Sequence, residues 1–263
     1  MHVARAVSTV LDVSVCLLLI GAAASTLVLA VPEERDPSEP NADTVANSLV
    51  TTTAAVEVAG DRRSHGTFAE HLSRAALESG SIGGDRLLAS TYPDTVDRAV
   101  RNHTDERAYV TARWEPYPNA SLHGRIAVGS APPATADVST TRRTVDSGIV
   151  EPDAAGGFDS LAASLSAAYI EHLFPPERTR AELLDPRTAR RTADRYRVIA
   201  AVLGVTVGSE LAAADTRAAN ERLARALGDR VESDLEAGYP SVRVARDATA
   251  VGSIELVVRR WDA

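Results

Sequence analysis

The longest uncharged stretch of the chain, residues 13–31, places the strongest constraint on what this sequence can fold into. Its 19 residues include no Asp, Glu, Lys or Arg. As a helix with a rise of about 1.5 Å per residue, the stretch would extend about 28 Å and nearly match a hydrocarbon core of about 30 Å. The sequence therefore predicts one membrane-spanning helix at residues 13–31.

The charges on the two sides of this segment have opposite signs. Arg5 precedes it, whereas five acidic residues opposed only by Arg35 follow it: Glu33, Glu34, Asp36, Glu39 and Asp43. The positive-inside rule then predicts a cytoplasmic N-terminus at residues 1–12. Residues 32–46, rich in proline and charge, are predicted to be a flexible spacer. An extracellular domain at residues 47–263 follows.

Removal of the segment as a secretory signal is the alternative to retention. In that case Ala22, Ala23 and Ala24 would form a small-residue cleavage site, or the cut would follow Ala30. The first cut would leave several apolar residues on the new terminus, and the second would make the apolar region long for a signal. The length of the segment therefore favours a retained anchor.

Residues 5–11, with the letters RAVSTVL, are similar to the start of haloarchaeal type IV pilins. In that family a peptidase cuts on the cytoplasmic side, and the retained helix packs into a filament core. The resemblance implies processing after Arg5 or Ala6. It also implies that Asp12 pairs with the new amino terminus of a neighbouring subunit; a solvated carboxylate at the membrane edge is the alternative that its position favours. The whole chain also resembles a family of single-span haloarchaeal membrane proteins, which implies no activity.

The charged residues are unusual in kind. All 28 basic residues are Arg, and 36 acidic residues give a net charge of −8. Such a composition is typical of proteins from salt-loving archaea, and a GC-rich codon bias explains it equally well. An acidic chain lacks the concentrated basic face that binding of nucleic acid requires, so we predict no nucleic-acid partner.

Residue types that carry chemistry are scarce. Cys16 is the only cysteine and lies in the apolar stretch, which excludes a disulfide within the chain. No two histidines stand three or four residues apart, as helical metal ligands do. Ser64 lies beside His65 without a nucleophile elbow, and the glycines near Ser79 lack the spacing of a phosphate loop. We therefore predict no metal, no cofactor and no enzymatic activity.

The outer domain shows both helical and strand periodicity. Strands are predicted at residues 48–59, 107–116, 121–130, 138–147, 241–246 and 252–262. Helices are predicted after a capping box at Thr67 and Glu70, from about Asp94, and at residues 158–174 and 185–203. A long third helix of the C-terminal half is predicted from Ser209, with Gly228 as a point of interruption. Helices on one face of a mostly antiparallel sheet define an α+β fold, whose last strand rejoins the earlier sheet.

Two further patterns concern the surface of this domain. Five arginines lie close together on one predicted helix: Arg187, Arg190, Arg191, Arg195 and Arg197. Interleaved with Asp194, they suit a solvated helix face, which the pattern favours, or a docking surface for an acidic partner, anionic headgroups or another subunit. Asn102 and Asn119 begin N-x-S/T sequons and are predicted glycan acceptors if the domain faces outward.

Together these patterns predict a non-enzymatic, membrane-anchored surface protein with its C-terminal domain outside the cell. It would be a pilin-like or accessory subunit of a type IV pilus or secretion apparatus, with the membrane and other subunits as partners. The alternative is a membrane-tethered extracellular sensor or ligand-binding domain. A groove lined by convergent polar residues would favour the alternative.

Overall fold

The computed structural model describes residues 41–59, 62–152 and 155–262. Their strands are β1 (Thr53–Ala59), β2 (Arg62–Thr67), β3 (Ser81–Ile82), β4 (Asp85–Arg86), β5 (Ala108–Trp114), β6 (Leu122–Val128), β7 (Val138–Asp146) and β8 (Ser253–Trp261). Their helices are α1 (Ala42–Thr51), α2 (Phe68–Glu78), α3 (Tyr92–His103), α4 (Phe158–Leu173), α5 (Pro176–Leu184), α6 (Ala189–Leu203), α7 (Gly208–Ala212), α8 (Thr216–Gly238) and α9 (Val242–Asp247).

The predicted cytoplasmic and membrane-spanning segments lie outside the described residues, and so do Arg5, Ala6 and Asp12. Within the part that the structure describes, every helix is either too short or too polar to cross a membrane. The anchor at residues 13–31 therefore stays a prediction.

Six strands form one sheet in the order β4-β3-β6-β5-β8-β7, and all neighbouring strands are antiparallel. Burial alternates along β5, where Ala108, Val110, Ala112 and Trp114 are buried and the residues between them are not. Such alternation leaves one face of a sheet packed and the other in contact with solvent. Helices α1 and α2 pack on this sheet. The structure confirms the predicted α+β fold with an antiparallel sheet.

The C-terminal strand completes the sheet. Strand β8 lies between β5 and β7, with Val258 opposite Val110 on one side and Thr141 on the other. The prediction that the C-terminus rejoins the earlier sheet is confirmed. Because β8 pairs with two strands more than a hundred residues earlier, its pairing depends on long-range contacts, which are typical of slower folding.

Helix α2 approaches the sheet at a glycine. A Cβ atom on Gly124 of β6 would lie 2.1 Å from the carbonyl oxygen of Ala76, so only glycine fits between strand and helix here. The helix begins at the predicted capping box: Glu70 N donates to Thr67 Oγ1 over 3.2 Å, and Thr67 N donates to Glu70 Oε2 over 2.7 Å. These contacts fix the position of α2, whose last turn reaches the groove described below.

The beginning of the domain differs from the prediction. Residues from Ala42 onward belong to α1 rather than to the spacer predicted at residues 32–46, and the strand expected from Ser48 begins only at Thr53. The helix forms because the Asn41 side chain accepts from Thr44 N over 3.2 Å, while one face of α1 is buried in the core.

Two predictions in the C-terminal half are wrong. Residues 242–247 form helix α9 instead of a strand, since Ser241 caps the helix and Ala245 is buried. The long helix expected from Ser209 is divided into α7 and α8 at Ala214, which has a φ of 50°, and Asp215 then caps α8.

Other helix boundaries also differ from the predicted ones. Helix α6 starts at Ala189 instead of residue 185, and helix α5, which precedes it, was not predicted. Helix α8 continues through Gly228, which is buried next to the backbone of Ala163 in α4, so the predicted interruption is absent at this residue.

Candidate anion-binding groove

Helix α6 and the turn before it carry the arginine cluster that the sequence analysis identified. Arg191 and Arg195 are four residues apart on α6, which places them on one face and about 6 Å apart along the axis, and Arg187 lies in the turn before the helix. Arg187 and Arg191 are exposed, and so is Arg190, whereas Arg195 is half-buried. The cluster is therefore not uniformly exposed to solvent.

Three adjoining cavities lie beside this face of α6, and together they form what we call the arginine groove. The outer compartment has a volume of about 370 Å³ and lies between α6 and Ala89. The middle compartment, of about 270 Å³, shares Ala89, Arg191 and Arg195 with the outer one. The inner compartment, of about 230 Å³, shares Arg62 and Arg195 with the middle one and extends to His172. Arg195 thus lines the whole groove.

The walls of the groove come from elements that are separate in sequence. Four of them supply arginines: Arg62 comes from β2, Arg74 from α2, Arg178 from α5, and Arg191 and Arg195 from α6. Sequence reasoning identified only those next to or on α6. Strands β1 and β2 pair antiparallel as a hairpin. A single arginine in such a hairpin, as Arg62, or within a helix, as Arg74, has no local pattern that would assign it to a shared site.

Glu182 joins three of the groove's elements. Its Oε1 accepts from Arg62 Nη1 over 3.0 Å and lies 3.5 Å from Arg178 Nε. Its Oε2 accepts from Thr192 Oγ1 over 3.1 Å. Burial raises the pKa of Glu182, but hydrogen bonds from Arg62 and Thr192 and the charges of both arginines more than offset this and lower the pKa below its usual value. Glu182 is therefore ionised and occupies an anion position between two arginines.

A second carboxylate, Glu78, holds the arginine of α2. Its Oε1 accepts from Arg74 Nε over 2.9 Å, and its Oε2 accepts a short bond from Ser90 Oγ. The Arg74 guanidinium also lies over the Tyr92 ring, 4.5 Å from its centroid. Burial raises the pKa of Tyr92 to about 12 despite the opposing charge of Arg74, so the phenol stays neutral beside His71 Nδ1, 2.7 Å away. The contacts with Glu78 and Tyr92 therefore hold the Arg74 guanidinium in one position.

The arginines on the α6 side are not neutralised in this way. Within the described residues, no carboxylate lies within ion-pair distance of Arg187, Arg190, Arg191 or Arg195. The Arg195 guanidinium instead stacks on Phe174, 5.2 Å from the ring centroid.

Arginines outnumber carboxylates in the lining of the groove. It is lined by seven arginines: Arg62, Arg74, Arg178, Arg187, Arg190, Arg191 and Arg195. The carboxylates that line it number three: Glu78, Glu182 and Asp194. Asp194 pairs with Arg197 over 2.7 Å, and Arg197 lines no part of the groove. A chain with a net charge of −8 thus has a strongly positive concavity.

The inner compartment of the groove ends at a histidine that carries no charge. Burial lowers the pKa of His172 despite the hydrogen bond of its Nδ1 with Gly148 O at 3.3 Å, so the imidazole is neutral at pH 7. Among the described residues, no three His, Cys, Asp or Glu side chains are grouped as metal ligands. The groove presents guanidinium donors, which bind carboxylates and phosphates, often in a bidentate manner.

A larger cavity, of about 560 Å³, lies between α4 and α8. Small side chains such as Ala163, Ala167 and Ala224 line it, and its charges balance, since two arginines and two glutamates face it. Arg217 is already paired with Glu177 over 2.8 Å. Despite its size, this cavity has no excess charge that would select a ligand, so the arginine groove is the stronger candidate.

The predicted glycan acceptors lie elsewhere. Asn102 is exposed near the end of α3, and Asn119 is exposed in the turn before β6, where its φ is 63°. Neither residue lines the arginine groove. Both stay predicted acceptors.

The described chain is thus an α+β domain with an antiparallel sheet. Its candidate anion-binding groove lies between the β1–β2 hairpin and helices α2, α5 and α6. The family model described as "Family of unknown function (DUF7284)" matches residues 11–261, and the chain belongs to this family. Comparisons with curated proteins and with solved structures find no match.

Proposed function

We propose that the chain is a membrane-anchored, outward-facing protein whose α+β domain binds a small anionic ligand in the arginine groove. One observation carries the proposal: arginines from β2, α2, α5 and α6 converge on one concavity of an acidic chain. Bringing like charges together costs free energy, and an anion that enters the groove recovers it. The proposal is binding without chemical turnover.

The same observation favours a ligand-binding domain over a filament subunit. An assembly surface would be expected to be flat or ridged, whereas the arginines line a concavity that reaches the half-buried Arg195. The pilin-like role depends on Arg5, Ala6 and Asp12, and it stays a prediction from the sequence.

The binding part of the proposal is tested with inorganic tripolyphosphate as the probe. The full chain, purified in non-ionic detergent micelles, is titrated by calorimetry, and amide hydrogen exchange is compared with and without the probe. We expect saturable binding and slower exchange in α6 and around Ala89 and Ser90, which line the groove.

The cavity between α4 and α8 serves as an internal control for this footprint. Its lining residues, such as Ala163 and Ala224, should exchange at unchanged rates. Protection centred there, or spread evenly over the domain, would show that the arginine groove is not the binding site.

The anchoring part is tested by the N-terminal peptide of the mature protein, identified by mass spectrometry from washed native membranes. We expect Met1 or His2, which indicates an uncleaved anchor. A start at Ala6 or Val7 would indicate pilin-type processing and lead to a search for filament partners. A start at Ser25 or Val31, with protein in the medium, would contradict anchoring.

A further inference from the structure

We infer that the ligand of the arginine groove is a small molecule with at least two carboxylate or phosphate groups. Arg187 and Arg190 hold one group in the outer compartment, and Arg195 holds the other in the middle compartment. This inference rests on the proposed anion-binding function and specifies the ligand for it.

Unpaired positive charge is distributed unevenly along the groove. Arg62 and Arg74 are held by carboxylates of the protein over 3.0 and 2.9 Å, so the deep wall is largely neutralised. In the described part of the chain, the four arginines of the α6 side have no such partner: Arg187, Arg190, Arg191 and Arg195. A phosphate group carries a charge of about −1.5 to −2 at pH 7, so one group leaves about half of these charges unbalanced and two groups balance them.

The spacing of the α6 arginines fits two anionic groups. Arg190 and Arg195 both lie on α6 and are five residues apart, which separates them by about 7.5 Å along the helix axis, with Arg191 between them. Arg191 and Arg195 line both the outer and the middle compartments, which makes these two compartments neighbours. Anionic groups about 6 to 8 Å apart would therefore reach both compartments at once.

A small molecule suits the groove better than a membrane surface does. A lipid bilayer surface could contact the exposed Arg187 and Arg190 directly, whereas Arg195 is half-buried against Phe174 and also lines the two deeper compartments. The middle compartment also presents the hydroxyl group of Thr91, an exposed residue whose side chain is not used by a hydrogen bond among the described residues. Both features suit a small soluble molecule rather than a membrane surface.

The inference is tested with two matched pairs of probes on the full chain in non-ionic micelles. Calorimetry compares orthophosphate with tripolyphosphate, and acetate with adipate. We expect at least one longer probe to bind about tenfold or more tightly than its short partner, because the second contact becomes intramolecular once the first has formed.

The variant Arg190→Gln tests whether the longer probe binds more tightly because it makes a second contact or only because it carries more charge. The variant should remove most of the gain of the longer probe, because the outer group loses one of its two arginines, while the short probe can bind at Arg195 instead and should lose clearly less affinity than the long one. Arg197→Gln, on the same helix but outside the groove, should preserve the gain. An equal loss for both probes in Arg190→Gln, or no loss for either, would overturn the inference.

The outcomes also separate this inference from the proposed function. If the short and long probes of both pairs bind equally well with a footprint in the groove, the inference is wrong and anion binding stands. If none of the probes binds, both are wrong.

Discussion

Charge reversal at Arg195, by Arg195→Glu, is expected to weaken tripolyphosphate binding more than about a hundredfold. Arg195 lines all three compartments of the arginine groove, so it is the one arginine common to every compartment in which an anion could bind. The substitution removes an ionic hydrogen bond of about 1.5 to 3 kcal/mol and adds a carboxylate that repels the ligand. Calorimetric titration of the full chain in micelles measures the loss.

The matched control is Arg197→Glu, which makes the same change of charge on the same helix. Arg197 is exposed, pairs with Asp194 and lies outside the groove, so we expect a change in affinity of no more than about threefold. Equal losses in both variants would mean that the net charge of the domain, and not the groove, attracts the anion. Circular dichroism of both variants verifies that α6 remains folded.

The fold of Arg195→Glu should survive because other side chains of α6 hold the helix. Tyr196, Ile199 and Leu203 are buried on its packed face, and Tyr196 OH donates to Asn220 Oδ1 over 2.6 Å. The substitution loses the contact of Arg195 with Phe174, worth about 0.5 to 1 kcal/mol. This loss is small beside the effect on binding.

Much of the sheet could be predicted from the sequence because its strands have one buried face. Period-two alternation placed β5, β6, β7 and β8 within a few residues of their observed bounds. The capping box at Thr67 and Glu70 located the start of α2 for a similarly local reason. Where a local sequence pattern fits only one kind of secondary structure, that pattern is enough to predict the element.

Helices α1 and α9 form in segments for which the local sequence pattern predicts strands. Residues 48–59 are rich in β-branched side chains, yet Asn41 and burial of Ala46 and Leu49 make the first part helical. Residues 241–246 alternate, but a segment so short also fits a single-turn helix with Ala245 against the core. Packing against residues distant in the sequence determines which conformation forms, and a short sequence segment contains no information about that packing.

The arginine groove required the fold for the same reason. The sequence shows the cluster on α6, and its interleaved Asp194 favours a solvated face. Arg62 and Arg74, which turn that face into one wall of a concavity, reach it only through the β1–β2 hairpin and α2. Exposure of a charge run therefore cannot be judged from the run alone.

The largest loss of stability is expected from Trp114→Ala, which should lower the free energy of unfolding by about 3 to 5 kcal/mol. Trp114 is fully buried in β5, and its ring stacks on Tyr169 of α4 with centroids 4.9 Å apart. Its Nε1 donates to Val251 O over 2.9 Å, so truncation also leaves a buried carbonyl without its partner. Urea denaturation followed by circular dichroism measures the change.

Trp114→Phe is the control that separates the ring from its polar group. It retains most of the stacking on Tyr169 and loses the hydrogen bond to Val251 O, so the expected cost is about 1 to 3 kcal/mol. Equal costs for the two variants would mean that the hydrogen bond, and not packing, dominates at this position.

The position of Trp114 also connects the core to the groove. Burial raises the pKa of Tyr169, which keeps its hydroxyl protonated as a donor to Leu77 O over 3.0 Å in the last turn of α2. The next residue is Glu78, which holds Arg74 in the groove wall. A Trp114→Ala protein that remains folded should therefore also bind tripolyphosphate more weakly, by about threefold to tenfold, because the far end of α2 loses its support. Unchanged affinity in the folded variant would show that Arg74 is positioned by Glu78 and Tyr92 alone.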